Sequence, residues 1–170
     1  MTTAPAPTMT VADAHAFFKA AHAGQVDKQG RDYYEFHLVP IAKEVEHLGD
    51  VAVIAALGHD YIEDIHKGDI AAGVAALRAV ACPEQAITAI VSVTRMPGET
   101  YYDLITRSCA DELGCEIKLA DNGHNIGSST GLAATDPKKA HSLLTKRYLP
   151  ARDRLIEART LHRLGLYPAA

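Results

Sequence analysis

The stretch Ala55-Ala56-Leu57-Gly58-His59-Asp60-Tyr61-Ile62-Glu63-Asp64 decides the fold: an apolar helical run stops abruptly in a dense cluster of ionisable side chains. The run has the pattern of a buried helix, opened by Asp50 and expected to continue to about Glu63. A buried helix does not ordinarily finish this way. By the 3.6-residue repeat His59 and Asp60 point about 100° apart, so a metal ion lying between those directions can take one ligand from each. Glu63 and Asp64 follow one turn beyond His59 and Asp60, which makes them acid/base candidates beside the same point. The same residues also read as a plain helix C-terminus with a surface histidine and a solvated acidic turn.

Working outward, helical spacing recurs on both sides. Val11, Ala14, Phe17, Phe18 and Ala21 predict a first helix from about Val11 to Ala23. Gln25 to Asp32 is polar and reads as a loop, after which a second helix begins near Tyr34 or Phe36 and ends by Gly49. Ile70 to Val80, opened by Asp69, is an alanine-rich helix, and Pro83 suits the first turn of the next, which runs to about Thr94. Arg95 to Thr100 has loop chemistry. Helices are then expected at Tyr101 to Ala110, at about Asp111 to Ile126, and from Pro137 towards Leu164, the last kinked or divided by Pro150. No segment shows the strict alternation of a half-buried strand, so the expected fold is all-α, a compact single-domain helical bundle over residues 11–170. Residues 1–10, with Ala-Pro-Ala-Pro, read as a flexible tail.

Composition agrees. Hydrophobic residues make up 48% and charged residues 22% of the 170 residues, an ordinary globular balance that needs neither disulfide nor structural metal to fold. A formal charge of −4 gives no general attraction to nucleic acid, which requires a clustered basic surface. Cys82, Cys109 and Cys115 are odd in number and show no Cys-x-x-Cys pair, so they read as reduced thiols in a cytoplasmic protein. Val51 to Leu57, the longest clean apolar stretch, is far short of the roughly 20 residues that cross a bilayer. No membrane partner is expected.

Two further clusters carry chemistry. In Glu116-Ile117-Lys118-Leu119-Ala120-Asp121-Asn122-Gly123-His124-Asn125, the residues Lys118, Asp121 and Asn125 share one helix face, with His124 three residues after Asp121. An aspartate presented from such a helix is costly to bury unless it meets a cation, although an exposed polar stripe has the same pattern. In Tyr33-Tyr34-Glu35-Phe36-His37-Leu38-Val39-Pro40, His37 stands near a helix start among aromatic and aliphatic neighbours, where a hydrogen-bonded core histidine is the plain alternative. Taken together, His37, His59, Asp60 and Asp121 form a mixed nitrogen and oxygen set that suits one divalent transition metal: manganese, zinc or iron. Such an ion lowers the pKa of water and makes a nucleophile suited to phosphorus.

The order His22-Ala23-Gly24-Gln25-x-x-Lys28, Tyr34-x-x-His37, Ala55-Ala56-Leu57-x-His59-Asp60-x-Ile62-Glu63-Asp64 and Lys118-Leu119-Ala120-Asp121-x-x-x-Asn125 resembles the HD-domain phosphohydrolases, in particular the hydrolase domain of the RelA/SpoT proteins and the small stand-alone alarmone hydrolases. Val93 to Tyr101 also looks like a segment of that group. The resemblance implies an HD-domain fold binding one metal ion, usually manganese, through the positions of His37, His59, Asp60 and Asp121. It implies that Glu63 and Asp64 activate water and move protons, and that Lys28, Asn125 and Tyr148 contact the substrate. The reaction it implies is removal of the 3′-diphosphate of guanosine tetra- or pentaphosphate, or of an adenosine analogue, as pyrophosphate.

The sequence departs from the family pattern at the phosphate-facing bases. Asp27-Lys28 stands for Arg-Lys, Gly58 for a leucine, and Ile126-Gly127-Ser128 for Met-Arg-Thr, which leaves Ser128 as a candidate substrate contact. The expected partner is thus a small nucleotide, with a homo-oligomer also compatible. The alternatives are an HD phosphohydrolase for another nucleotide, such as a deoxynucleoside triphosphate or a nucleoside monophosphate, and a nucleotide sensor that has lost turnover.

Overall fold

A computed structural model describes residues 8–168 and is all-helical, as expected. The chain forms α1 (Val11–Ala21), α2 (Val39–Glu44), α3 (Asp50–Leu57), α4 (Ile70–Ala79), α5 (Glu84–Val93), α6 (Tyr101–Ala110), α7 (Glu112–Leu132), α8 (Pro137–Leu143) and α9 (Leu149–Arg163). Side-chain caps start several of them: Thr10 and Asp13 form a capping box at α1, Thr100 and Asp103 another at α6, while Asp69, Asp111 and Asp136 cap α4, α7 and α8. Each cap gives a partner to an amide that the first turn would leave unpaired. Most of the expected 1–10 tail lies outside the described residues. Met9 is buried and its amide donates to the Ala81 carbonyl at 2.9 Å.

Helix α3 is the hub. Ala52 to Leu57 are all buried, so the helix is apolar on every side, and it packs against α1, α2, α5 and α7. Around it Phe18, Leu38, Ile41, Ile54, Leu57, Ile62, Leu77 and Ile90 make one apolar core. A second, smaller core joins α6, α7 and α9 through Ile105, Cys109, Cys115, Leu119 and Leu155. Helix α7 serves both, with Ile117 and Ala120 facing the first and Cys115 and Leu119 the second. Its close approach to α5 depends on Gly114, where a Cβ would lie 1.9 Å from Ser92 Oγ. All three cysteines are free and buried. Among the described residues no helix is long and apolar enough to cross a membrane.

Several boundaries differ from the sequence expectation, and the differences shape the site. Helix α3 stops at Leu57 instead of Glu63, so His59 and Asp60 lie in a turn, not on a continuous helix face. Gly58 stands at this stop because a Cβ there would meet Phe18 Cζ at 2.6 Å and Ile90 Cδ1 at 2.8 Å. A π-helical turn, Tyr61–Ile65, follows. The helix expected to begin near Tyr34 or Phe36 and end by Gly49 is a π-turn (Tyr34–Leu38), then α2, then a 3₁₀ turn (Glu46–Leu48). Likewise the helix expected from Pro137 is divided by a π-turn, Leu144–Tyr148. Pro40 and Pro150 each stand two residues after a π-turn. A proline ring collides with the carbonyl four residues back and lacks an amide to bond it, and the wider turn relieves both problems. Pro150 thus divides its helix by this means. Helix α7, in contrast, runs on to Leu132, past the expected end at Ile126.

The Arg95–Thr100 loop is pinned by Arg107 of α6. Its guanidinium donates to the carbonyls of Val91 (2.7 Å), Ser92 (2.9 Å) and Thr94 (2.5 Å) and pairs with the Glu99 carboxylate at 2.8 and 2.9 Å. These bonds satisfy the open carbonyl end of α5 and hold the loop against α6. Replacing Arg107 by Ala should destabilise the fold by about 2–4 kcal/mol in chemical denaturation, because it orphans a half-buried carboxylate and several carbonyls together. The Arg107 hydrogen bond holds the Glu99 carboxyl below its ordinary 4.5, so this contribution is present above that pH and fades as the pH falls through the lowered value. The wild-type advantage over the Ala variant should therefore shrink in acid.

Candidate metal centre

The three clusters converge at the seam between the two cores. His37 comes from the first π-turn, His59 and Asp60 from the turn after α3, and Asp121 from the middle of α7. One donor atom from each of His37, His59 and Asp121 lies within 4.8 Å of the others, and all three residues are buried. Asp60 Oδ2 stands 3.0 Å from His59 Nε2 and 3.3 Å from His37 Nε2, while Asp121 Oδ1 is 3.9 and 3.5 Å from the same two nitrogens. A group of this composition can hold a divalent metal ion.

The supporting hydrogen bonds fit that use. His59 Nδ1 is 2.7 Å from the Ala56 carbonyl, which places its proton there and leaves Nε2 for the cluster. Nε2 is itself buried, and although Asp60 Oδ2 lies 3.0 Å away the two do not align as a hydrogen bond, an arrangement that a coordinated cation would resolve. His37 Nδ1 lies 3.0 Å from His124 Nδ1. One of these nitrogens must donate and the other accept; with His37 Nε2 turned to the carboxylates, the proton belongs on His37 Nδ1 and His124 accepts. His124 therefore fixes the tautomer of His37. Lys118 Nζ donates to Asp121 Oδ2 at 2.7 Å and the Asn125 amide to Asp121 Oδ1 at 2.6 Å, so the carboxylate is steered from both sides. Tyr33 donates its hydroxyl to Asp60 Oδ2 at 2.5 Å. Burial and the neighbouring Asp60 push the Tyr33 pKa upward, so it remains a donor.

The electrostatics are those of a site short of positive charge. Burial disfavours the His59 imidazolium, yet the Asp60 carboxylate beside it outweighs that and leaves the ring pushed up to about 9. Burial also works against the Asp121 carboxylate, but Lys118 and the imidazoles hold its pKa below the ordinary value.

Through His37, Asp60 and Asp121 the cluster opens into a cavity of about 330 Å³. Glu63 and Asp64, on the second π-turn, face it. Glu63 sits exposed at the rim, where crowding by the pocket walls raises its pKa, and its Oε2 accepts the Arg95 amide at 3.1 Å. Asp64 Oδ2 accepts from Gln25 Nε2 at 2.6 Å, and Gln25 Oε1 in turn meets His22 Nδ1 at 2.7 Å. The motif His22-Ala23-Gly24-Gln25 thus serves to aim Asp64. Lys28, Asn125, Ser128 and Tyr148 all line the same cavity. Asn125 gives its amide to Asp121, so here it is tied to the ligand set as well as facing the cavity. Asp27 accepts from the Gln29 and Arg31 amides and pairs with the Arg31 guanidinium at 2.7 Å. Its charge is spent on the turn that presents Lys28, and Arg31 offsets its repulsion of an anion.

Sequence reasoning gave no role to Tyr33, Gln25, Arg95 and Arg147, which also surround this cavity or its carboxylates. Gln25 could have been found from its place three residues after His22, in the stretch that leads to Lys28. Nothing local marks Arg147, because its role depends on helices α6 and α9 meeting.

Comparison with protein-family descriptions gave no match, and comparison with curated proteins gave no significant one. The geometry therefore stands on its own.

Manganese added to metal-free protein should bind at one site in calorimetry, and His59→Ala or Asp121→Asn should remove that binding. Removing the tautomer lock with His124→Ala should weaken it by about 10- to 100-fold, whereas His124→Asn, which keeps an acceptor, should weaken it less. Coordination requires neutral His59, which is protonated below about 9 without a cation, so affinity should rise as the pH climbs towards that value.

Proposed function

We propose that this protein is a metal-dependent phosphohydrolase whose substrate is a nucleotide, and specifically that it removes the 3′-diphosphate of guanosine tetra- or pentaphosphate, or an adenosine counterpart, as pyrophosphate. One observation carries the reading: the buried group His37, His59 and Asp121 reaches, through His37, Asp60 and Asp121, a cavity whose remaining walls hold the carboxylates Asp27, Glu63 and Asp64 and the cations Lys28, Arg95, Lys118 and Arg147. Metal ligands, proton-transfer groups and phosphate-facing bases are the three elements that hydrolysis of a phosphate ester requires. The nucleoside and its 3′ linkage rest on the ordered motifs alone.

His37, His59, Asp60 and Asp121 would hold the ion, for which manganese is the proposed identity. Such an ion supplies Lewis acidity and lowers the pKa of water near it. The chain's own residues do the rest. In the proposed step the oxygen of a water molecule bonds to the phosphorus attached to the 3′-oxygen, and the bond between that phosphorus and the 3′-oxygen breaks. Glu63, at the rim and free of a side-chain partner, takes the water proton. The 3′-oxygen leaves as a hydroxyl by receiving that same proton, relayed from Glu63 by way of Asp64, which Gln25 orients. Lys28 and Arg95 stand at the cavity to neutralise the departing pyrophosphate.

A panel of nucleotides with added manganese, read by product mass, tests this. Release of pyrophosphate from a 3′-diphosphate is the expected result; release of triphosphate or inorganic phosphate from a 5′ position would assign another nucleotide substrate. Glu63→Gln should lower turnover by about 100-fold or more while metal content stays at the wild-type level. Metal-loaded wild-type protein that turns over nothing in the panel would make it a nucleotide sensor.

A further inference from the structure

The basic residues of the cavity are not equivalent. Lys118 is committed to Asp121 at 2.7 Å. Arg95 donates its Nε to the Glu99 carbonyl at 3.0 Å and so helps hold its own loop, and Lys28 is exposed on the turn after Asp27. Arg147 differs from all three. It is half-buried, and its Nε is enclosed without any hydrogen-bond partner. Its guanidinium lies over the Tyr101 ring at 4.1 Å and 5.5 Å from the Tyr148 ring, and those two rings meet edge to face at 6.2 Å. Stacking fixes the plane of the guanidinium and supplies cation–π attraction, but it satisfies none of the in-plane N–H groups. Arg107, by contrast, spends its donors on four residues of the protein.

Position adds to the chemistry. Arg147, Tyr101 and Tyr148 line the same cavity as the metal-facing residues but come from α6 and the third π-turn, elements that contribute none of those residues. A planar cation that lines the cavity, makes no hydrogen bond to the described residues and is held over a tyrosine ring on a separate wall matches the carboxylate- and phosphate-binding geometry of arginine. The geometry points to Arg147, held on Tyr101, as an anion site that takes a phosphoryl oxygen of the substrate and so sets where the rest of the molecule lies. This assignment rests on the phosphohydrolase reading for the substrate's identity, but the anion site itself does not require the metal.

Inorganic pyrophosphate is the probe, titrated calorimetrically into the protein with chelator present so that no metal contributes. Wild-type protein should bind it, Arg147→Gln should bind at least about 10-fold more weakly, and Arg147→Lys should fall between because a lysine keeps the charge without the stacked plane. Tyr101→Phe should behave as wild type and Tyr101→Ala should weaken binding, which separates a lost clamp from a lost fold when melting temperatures are compared. Equal binding by Arg147→Gln and wild type, or no binding by wild type at about 10 mM pyrophosphate, would overturn the assignment. If metal binding proved absent while pyrophosphate binding still required Arg147, the hydrolase reading would fall and the anion site would stand. With a turned-over substrate in hand, Arg147→Gln should raise KM by more than it lowers kcat.

Discussion

Asp121 is the residue on which the arrangement turns. It is a carboxylate buried in the middle of a helix that serves two apolar cores, a position whose desolvation has to be compensated. Lys118 answers one oxygen from the preceding helical turn, and the other is presented with Asn125 to the imidazoles of His37 and His59. Everything that approaches this carboxylate does so because leaving it unpaired would cost more than the order imposed on the partners. The convergence of three distant segments on one point is thus also a packing requirement: α3, the π-turn before α2, and α7 must meet closely enough for the charges to compensate.

The backbone supplies the aim. Three π-turns interrupt the helices, and each carries residues of the cavity: His37 in the first, Glu63 and Asp64 in the second, Arg147 and Tyr148 in the third. An extra residue in a helical turn rotates the succeeding side chains by about 100°, enough to bring one of them from one face to the next. Two of these turns are followed by prolines, Pro40 and Pro150, whose missing amides and bulky rings disfavour the ordinary helical ladder. Gly58 plays the corresponding part at the end of α3. It lets Phe18 and Ile90 close over the helix terminus, so that His59 is buried rather than left at the surface.

The sequence was informative wherever the signal was local. Apolar spacing marked the helices, Thr10, Asp69 and Thr100 lie just before helix starts that were legible from it, and the runs around His59 and Asp121 announced charges set into apolar helices. The expectation that α3 reaches Glu63 failed because helix periodicity does not register the turn at Gly58, His59 and Asp60 or the π-turn after it, which keep nearly the same apolar spacing. Asp27 looked like a loss of positive charge, since its pairing with Arg31 depends on how the 25–33 turn folds. His124 was noted as a neighbour of Asp121, but its contact with His37 joins residues far apart in the chain.

By itself the sequence determined an all-helical chain, the places where ionisable residues enter apolar helices, and the set His37, His59, Asp60 and Asp121 as candidates for one ion. Those follow from side-chain chemistry and from periodicities of a few residues, which are written locally. Only the tertiary structure decided which nitrogen of each histidine faces the carboxylates, that Gln25 and His22 orient Asp64, and that Arg147 looks into the cavity without a partner. These depend on hydrogen bonds and packing between segments that lie far apart in the chain, and no local pattern encodes the distance between them.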